Sequence, residues 1–513
     1  MNPAPRVLAL CALVLAAACG TTVPVAQQQS AASSGLGGDS GTATSGSASA
    51  PSDAGSTGGT SVGGATGAGP VVGGTSGSGV VSGGTTTGAA NGPASLPPVP
   101  AGAVPTTGRG WDAKHVYIGV LTQKDFQKTF ATAGYSGIDP GDTEGQSRAV
   151  VDEINRHGGV LGRQVVIRYD DIPTLSSAQN PESAGTAACT YYAEDHPVVA
   201  LFSIVHTLDT PTFRSCLAKA KIPYFDASLT IVDKSIQSLA PYFYSFGTPT
   251  WDVLAPVLVQ QLKAQSYFTG WNARTGKPQP GAPVVMGVLT PDTPSGATDS
   301  RLISNALRAA GYTKIVTYAY TPPGSEIDGA ILHFAQNGVT HVISDNIELV
   351  TFQIHASTQG YTPRYGIHTY NAPSTNLEGV GPASQQVGDV GVGWAPTFDT
   401  SDANDPGVFS TGESSCRALM AKANVRSSDR LAEADAMLMC DALRLGLQSM
   451  SKGFSAQAVY AEMLRNSGSF SSAFTFRPGL AAGRLFLPGG VRRLGWNTSC
   501  SCFRYLGTAT TPM

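Results

Sequence analysis

The residues best placed to do chemistry follow apolar, β-branched runs. Thr122 and Gln123 come at the end of VYIGVL (116–121), with Phe126 and Tyr135 further along. His206-Thr207 and Asp209-Thr210 follow a run ending at Ile204, and Asp226 and Ser228 follow Phe225. Later in the chain, Asp292-Thr293, Asp345-Asn346 and Tyr370-Asn371 each close another such run. In an open parallel sheet, residues at the carboxyl ends of strands converge on one crevice. Hydroxyls and backbone N–H groups there can hold a carboxylate. Aromatic rings such as Tyr135 or Tyr370 can cover an apolar portion of a small molecule. This is the chemistry of capture rather than conversion. Each residue also has a plainer reading. Thr122, Asp226 and Ser228 suit the caps of following helices, and Asp292 opens the turn Pro291-Asp292-Thr293-Pro294. His206 suits a loop histidine bonded to backbone, and Tyr135 a ring facing solvent.

Reaction chemistry is poorly served. The folded region has no Gly-x-Ser-x-Gly elbow and no His-Glu-x-x-His motif. The stretch from Gly270 to Lys277 ends in Gly-Lys, but its glycine spacing is one residue too long for a phosphate loop. Pro278 also replaces the hydroxyl residue that would meet magnesium. Ser203, His206 and Asp209 share one strand end, whereas members of a catalytic triad usually converge from separate segments. The expectation is a non-enzyme without metal or cofactor. The formal net charge is −3, with no basic run, so nucleic acid is not an expected partner.

The elements that must position these residues are legible in the periodicity. QSRAVVDEINRHGGVLGRQVVIRYDD (146–171) reads as helix, glycine turn and strand. Ala149, Val150 and Ile154 fall near helical spacing, Gly158-Gly159 stops the helix, and Val165-Val166-Ile167 suits a buried strand. With the upstream run this gives a βαβ unit of right-handed crossover. Helices are expected at 183–195, 210–220, 252–265, 300–310, 327–336, 347–359, 431–450 and 456–466. Strands are expected at 198–204, from 223, 242–246, 284–289, 315–318, 341–344 and 365–368, and residues 267–283 read as a polar insertion. Regular alternation implies parallel sheets covered on both faces. The roughly 400 residues after Arg109 exceed a typical domain, so two α/β lobes are expected.

The amino terminus reads as an export signal. Arg6 precedes an apolar run from Val7 to Ala18, too short to span a bilayer. Ala16-Ala17-Ala18-Cys19-Gly20 resembles a bacterial lipobox, with Cys19 as the lipidated residue, although leucine usually stands where Ala16 does. The alternative is an ordinary signal peptide with a chance cysteine. Gly20–Gly108 is rich in Gly, Ser, Thr and Ala, and Asp39 and Asp53 are its only charged residues. So little apolar mass cannot offset ordering entropy, and a tether is expected, with a root-mean-square span of roughly 50 Å. Of the eight cysteines, Cys11 leaves with the signal and Cys19 would carry lipid. Six remain, as suits an oxidising compartment, and they allow about 15 pairings in principle. A zinc site is the competing use, but no histidine stands at ligand spacing from them.

The order of features from Ile154-Asn155 through Gly158-Gly159-Val160 and Gly162-Arg163 to Asp170-Asp171 resembles the first βαβ unit of type I periplasmic binding proteins. The branched-chain amino-acid-binding branch is the most similar. The resemblance covers nothing before Trp111 and weakens towards residue 500. It implies two doubly wound parallel-sheet lobes joined by hinge crossovers, with the last helices returning to the first lobe and the tail after Phe476 to the second. The expected layout is a signal at 1–18, a tether at 19–110, a first lobe at 111–246 with about 395–475, and a second lobe at 247–394 with about 476–513. Related proteins carry a disulfide near Cys189 and Cys216, which favours that pair; Cys416–Cys440 and Cys500–Cys502 would follow. The family's second-lobe carboxylate for a ligand ammonium group has no counterpart in His368-Thr369-Tyr370-Asn371-Ala372-Pro373. Asp345 or Asp292 could substitute, yet neither matches residue for residue. The expected function is an exported lipoprotein that captures a small polar molecule (amino-acid-like, amide or carboxylate) for ABC-transporter membrane subunits. A surface sensor or adaptor on the same fold is the alternative, and an envelope structural protein with a vestigial cleft a third.

Overall fold

The computed structural model describes residues 104–513, apart from 133–138, 206–207, 209, 230–231, 322–325, 402–409 and 428. The run VYIGVL lies in β1 (His115–Lys124), whose Val116, Ile118, Val120 and Leu121 are wholly buried. A strand covered on both faces needs consecutive apolar residues and neighbours joined by crossovers. The chain supplies them in order: α1 (Phe126–Thr132), α2 (Thr143–Arg156), β2 (Gln164–Pro173), α3 (Thr174–Gln179), α4 (Pro181–Thr190), β3 (Leu201–Ser203), α5 (Pro211–Lys219), β4 (Tyr224–Asp226) and β5 (Phe243–Ser245). The sheet runs β2-β1-β3-β4-β5 with every pairing parallel. Asp142 starts α2 by accepting the Gly145 N–H at 2.8 Å. The helix stops before Gly158-Gly159, where a Cβ on Gly159 would meet Arg163 O at 1.9 Å. A side chain there would block the tight return into β2.

A second series repeats the plan. After α6 (Trp251–Ala264) and a hairpin of β6 (Trp271–Asn272) and β7 (Lys277–Pro278) come β8 (Met286–Pro291), α7 (Pro294–Ala309), β9 (Ile315–Tyr320), α8 (Ile327–Gln336), β10 (His341–Ser344), α9 (Leu349–Thr358), β11 (Arg364–His368), α10 (Ala383–Gln386) and β12 (Val390–Gly393). Then α11 (Pro396–Asp399), α12 (Thr411–Lys422), α13 (Arg430–Gln448) and α14 (Ala456–Ser467) follow, with α13 packed on α2, α12, β3 and β4. The chain ends in β13 (Gly490–Asn497), β14 (Cys502–Tyr505) and β15 (Thr511–Pro512). The second sheet has eight strands in the order β14-β13-β12-β11-β10-β8-β9, with β15 on β13. Its parallel part, β9-β8-β10-β11-β12, repeats the strand order of the first sheet. The expected doubly wound α/β class is therefore present twice.

Crossovers between the lobes are held by specific contacts. Trp394, after β12, donates its indole N–H to Gly247 O at 2.8 Å. Asp399 accepts from Ala395 N at 2.9 Å and from the Tyr505 hydroxyl. Asp441 accepts the backbone N–H groups of Ala473 and Phe474, so one buried carboxylate fixes the third crossover. Burial raises both acids, Asp399 to about 7 and Asp441 to about 6. The structure contains disulfides Cys189–Cys216, Cys416–Cys440 and Cys500–Cys502.

Three expectations need correction. Residues 267–283 are polar and largely exposed from Arg274 onward, as expected, but the stretch is anchored at its start: Tyr267 is wholly buried, its hydroxyl donating to Val342 O and Arg364 O, and Trp271 donates to Thr362 O at 2.9 Å. Two aromatic anchors hold the polar residues that follow them, Asn272 to Gln279, against the second lobe. The strand at 198–204 is shorter, Leu201–Ser203, because only that part has neighbours on both sides. The tail does not pass directly to the second sheet, since Ser245 and Phe486 first form a parallel bridge beside β5. The helix at 411–422 and the short β12 carried no periodicity strong enough to announce them.

Candidate ligand site

A doubly wound sheet presents its crevice where the strand order reverses, outside the carboxyl ends of the flanking strands. In the first lobe that point lies between β1 and β3, and in the second between β8 and β10. The structure therefore selects among the candidate loops by topology.

In the first lobe, Thr122 is buried and donates its hydroxyl to Asp171 Oδ1 at 3.1 Å. It ties β1 to β2. Gln123 is half-buried, and its Nε2 is buried with no hydrogen-bond partner. Ser228 is buried, and its N–H donates to Asp226 Oδ1 at 2.9 Å. Gly247, in the first crossover, lies so near this loop that a Cβ would meet Ser228 O at 2.1 Å. Ser228 is thus set against the hinge. Tyr135, His206 and Thr207, like Asp209 and Cys19, lie outside the described residues.

In the second lobe the candidates divide. Asp292 is exposed, and its N–H donates to Tyr320 O at 2.7 Å, which makes it a turn residue between β8 and α7 tied to the end of β9. Thr293 caps α7 by accepting the Gly296 N–H at 3.1 Å. Asn371 is wholly buried and structural: its Nδ2 donates to Asn346 O at 2.7 Å and its Oδ1 accepts the His368 N–H at 2.9 Å. Asn346 accepts the Glu348 N–H at 3.1 Å and donates to the Tyr320 hydroxyl. These contacts lock the β10 and β11 ends together.

Asp345 is different. It stands at the switch point, 2 % exposed, with Oδ1 lacking any hydrogen-bond partner. Asp299, on the buried face of α7, is its companion. Burial, then the charges of Asp233 and Asp252, push Asp299 up to about 8, against a side-chain hydrogen bond with Asp345 that lowers it. Burial, then Asp299 and Glu348, hold Asp345 well above the usual carboxylate range. Burial also raises Glu348, whose Oε2 is buried without a partner. Tyr370 reports the convergence. Burial first, then Glu348, Asp345, Asp299 and Asp226, all raise its hydroxyl. Acids of both lobes thus act on one phenol. The neighbouring Ser344 Oγ and the Trp251 indole nitrogen are also buried and unpartnered. His368 stacks between Trp394 and the edge of Trp251, with its Nε2 donating to Ser344 O at 2.8 Å.

Crowded carboxyl groups in low dielectric retain protons that water would strip. A cation placed among them would take over the role of those protons. Asp299, Glu348, Tyr320 and Trp251 escaped the sequence reading. Asp299 shares the helical spacing of the buried Ile303 and Leu307, so an acid on the apolar face of that helix was the available signal. Glu348 lies three residues beyond Asp345, in the same loop. Among the described residues no group of three or more His, Cys, Asp or Glu could hold a metal ion.

This architecture, two lobes of one strand order with their switch points forming the crevice, defines a binding protein of two doubly wound domains. The chain matches the family model for "Periplasmic binding protein" over residues 140–475 and belongs to that family, one of extracytoplasmic solute-binding proteins rather than enzymes. Its fold is shared by several solved structures. An ABC transporter substrate-binding protein from Desulfitobacterium hafniense, in complex with Leu, is 14% identical with TM-score 0.51, covering 77% of this chain and 100% of its own. A branched chain amino acid ABC transporter protein from Thermus thermophilus, with bound valine, is 12% identical with TM-score 0.56, covering 78% and 97%. A periplasmic binding protein type 1 from Bordetella pertussis Tohama I is 12% identical with TM-score 0.56, covering 77% and 99%. No curated protein sequence matches the chain. No helix among the described residues is long and apolar enough to cross a membrane.

Proposed function

We propose that the protein is a lipid-anchored receptor that captures a small molecule bearing an amino group between its lobes and presents it to an ABC importer. The observation that carries the ligand class is Asp345, a buried acid at the second-lobe switch point with an unpartnered oxygen and two further acids around it. An ammonium group would donate to these oxygens and relieve their mutual repulsion. The solved relatives that bear Leu or valine make an α-amino acid the first candidate. Tyr370, on the rim of the cluster, would cover the ligand's apolar part. First-lobe positions Thr122, Gln123 and Ser228, with His206 and Thr207, would meet its other end. Closure follows from tighter binding to the closed form than to the open one. Cys19 would carry the lipid, and the Gly/Ser/Thr-rich stretch would serve as a tether shorter than the expected 19–110, because Val104 packs on the first-lobe core and Arg109 donates to Ala193 O and Ala220 O.

A thermal-shift screen of a Cys19→Ala protein tests the ligand class. α-Amino acids, simple amines, amides and short-chain carboxylates would be compared at neutral pH. A ligand at 100 times its Kd adds about 2.7 kcal/mol to stability, so amine-bearing compounds should raise the melting temperature by a few degrees. A response confined to carboxylates or amides would reject the assigned role of Asp345. The same variant should appear in the soluble fraction if Cys19 anchors the protein.

A further inference from the structure

The three disulfides are not equivalent. Cys189, Cys416 and Cys440 are wholly buried, and Cys216 is packed against the same core cluster as Cys189. These bridges tie α4 to α5 and α12 to α13, and each spans more than twenty residues of sequence. Cys500–Cys502 closes a loop holding one intervening residue. It sits at the turn between β13 and β14, on the outer edge of the second sheet. Cys500 is exposed, whereas Cys502 is 7 % exposed. Ser501 between them holds φ +52°, a left-handed backbone that a non-glycine residue rarely adopts. Arg504, two residues along β14, donates its Nε–H to Cys502 Sγ at 3.4 Å. Glu378, the acid that meets this strand, accepts the Phe503 N–H.

We propose that Cys500–Ser501–Cys502 is a thiol–disulfide exchange site, with exported thiols as its co-substrates and Cys500 as the sulfur that is attacked. Exchange needs an accessible sulfur and a good leaving thiolate. The two roles fall on different residues here. An incoming thiolate RS⁻ attacks the exposed Cys500 Sγ; the S–S bond breaks, and Cys502 leaves as a thiolate beside the Arg504 guanidinium. A neighbouring arginine favours that thiolate. A second RS⁻ then attacks the incoming sulfur of the mixed disulfide, releasing RSSR and leaving Cys500 and Cys502 as a dithiol that takes its protons from water. Two electrons pass from two thiols to the bridge. The reverse sequence oxidises two thiols. A two-residue bridge constrains little of the unfolded chain, so the site can cycle without opening the fold. Cys416–Cys440 is shielded from attack on both sulfurs, and Cys189–Cys216 on the Cys189 side with Cys216 half-buried; both serve the core.

The experiment is a redox titration of the full chain in reduced and oxidised glutathione. Free thiols are alkylated at each ratio and assigned by peptide mass spectrometry. Cys500 and Cys502 should become alkylated at a glutathione ratio at least tenfold less reducing than any that opens the other two bridges, with the melting temperature unchanged. A second arm measures the rate of reduction. Arg504→Gln should slow release of Cys502 several-fold, and Arg504→Lys should restore most of the rate. A third arm uses Cys500→Ser, which leaves Cys502 without its partner and is followed at the Cys502 peptide by the same mass spectrometry. Its alkylation rate against pH should give a pKa below that of an ordinary cysteine, and adding Arg504→Gln should raise it. If Cys500 and Cys502 stay oxidised until the buried bridges open, the proposal is overturned. An Arg504→Gln protein with wild-type rate and thiol pKa would likewise overturn the role given to Arg504.

Discussion

The two parallel sheets share a strand order, yet their switch points are built from different materials. At the first, Thr122 and Asp226 are spent on neighbouring strands and loop backbone: the Thr122 hydroxyl on Asp171, and Asp226 Oδ1 on the Ser228 N–H. At the second, Asp345, Asp299 and Glu348 crowd together, and oxygens of Asp345 and Glu348 are buried without partners. A satisfied polar loop is a scaffold, because its hydrogen bonds are made whether or not a ligand is present. A buried acid lacking a partner destabilises the empty protein and recovers that loss only when something donates to it. The contrast teaches where discrimination resides. The first lobe supplies mainly shape, with the Gln123 Nε2 donor left buried and open, and the second supplies an electrostatic deficit that only a suitable ligand removes. Asn371 belongs to the scaffold even though it lies in the second lobe, since its amide is consumed by the β10 and β11 ends.

The largest effect should come from breaking that scaffold. Asn371→Ala deletes bonds to His368 N and Asn346 O and leaves both groups buried. Each unsatisfied group costs about 1–3 kcal/mol, so a loss near 3 kcal/mol is expected, measured as a lower midpoint in urea unfolding. If stability is unchanged while ligand affinity collapses, Asn371 is a ligand contact and the division drawn within the second lobe fails.

Asp345→Asn should do the reverse. Affinity for an amine-bearing ligand, followed by calorimetry, should fall about 100-fold, or roughly 2.7 kcal/mol. The empty protein should become more stable, with a pH signature. Burial and neighbouring acids raise Asp299 to about 8 from the usual 3.8. A carboxyl whose folded pKa is raised contributes stability that is fully present below the unfolded pKa and lost as pH climbs through the folded one. Wild-type melting temperature should therefore decline between about pH 4 and pH 8. Removing one member of the pair should flatten that decline. His341 and His368, lowered to about 4 mainly by burial, act in the opposite direction below pH 6.5. The difference between variant and wild type cancels their contribution.

Much of this was legible in the sequence, and the reason differs by feature. The repeated strand–helix alternation declared the doubly wound sheets, because strands buried on both faces must be continuous apolar runs such as VYIGVL. Candidate loops followed from strand ends by topology alone. What sequence could not rank was Asp345 against Asp292. Both are acids just after a β-branched strand, and only the fold places one in the interior and the other in an exposed turn. Nor could it see Asp299, whose partner lies 46 positions away in the chain and meets it only through the packing of α7 on the sheet. The aromatic anchors Tyr267 and Trp271 were hidden by the polar residues that follow them, Asn272 to Gln279. The end of β1 was read as either capping or ligand contact, and the structure shows Thr122 bonded to the neighbouring strand.

A smaller effect separates capping from recognition at Thr293. Its hydroxyl accepts the Gly296 N–H at the start of α7, and loss of such a cap costs about 1 kcal/mol. Thr293→Ala should lower the melting temperature slightly, Thr293→Ser should restore it, and ligand affinity should stay within twofold of wild type in both.

The smallest expected change is the most direct test of the contrast between the lobes. Asp226 is wholly buried at the end of β4, where Oδ1 accepts the Ser228 N–H at 2.9 Å. Asp226→Asn keeps a carbonyl oxygen for that bond, so stability should change by less than about 1 kcal/mol. Its charge nevertheless acts on Tyr370 together with the three second-lobe acids, so a ligand cation seated there would feel its removal. With the second lobe as the source of discrimination, the affinity loss should be only a few-fold, far below that of Asp345→Asn. An equal loss in both variants would mean that the cation is gripped from both sides. Ion pairing across the crevice would then drive closure directly, and the first lobe would hold charge as well as shape.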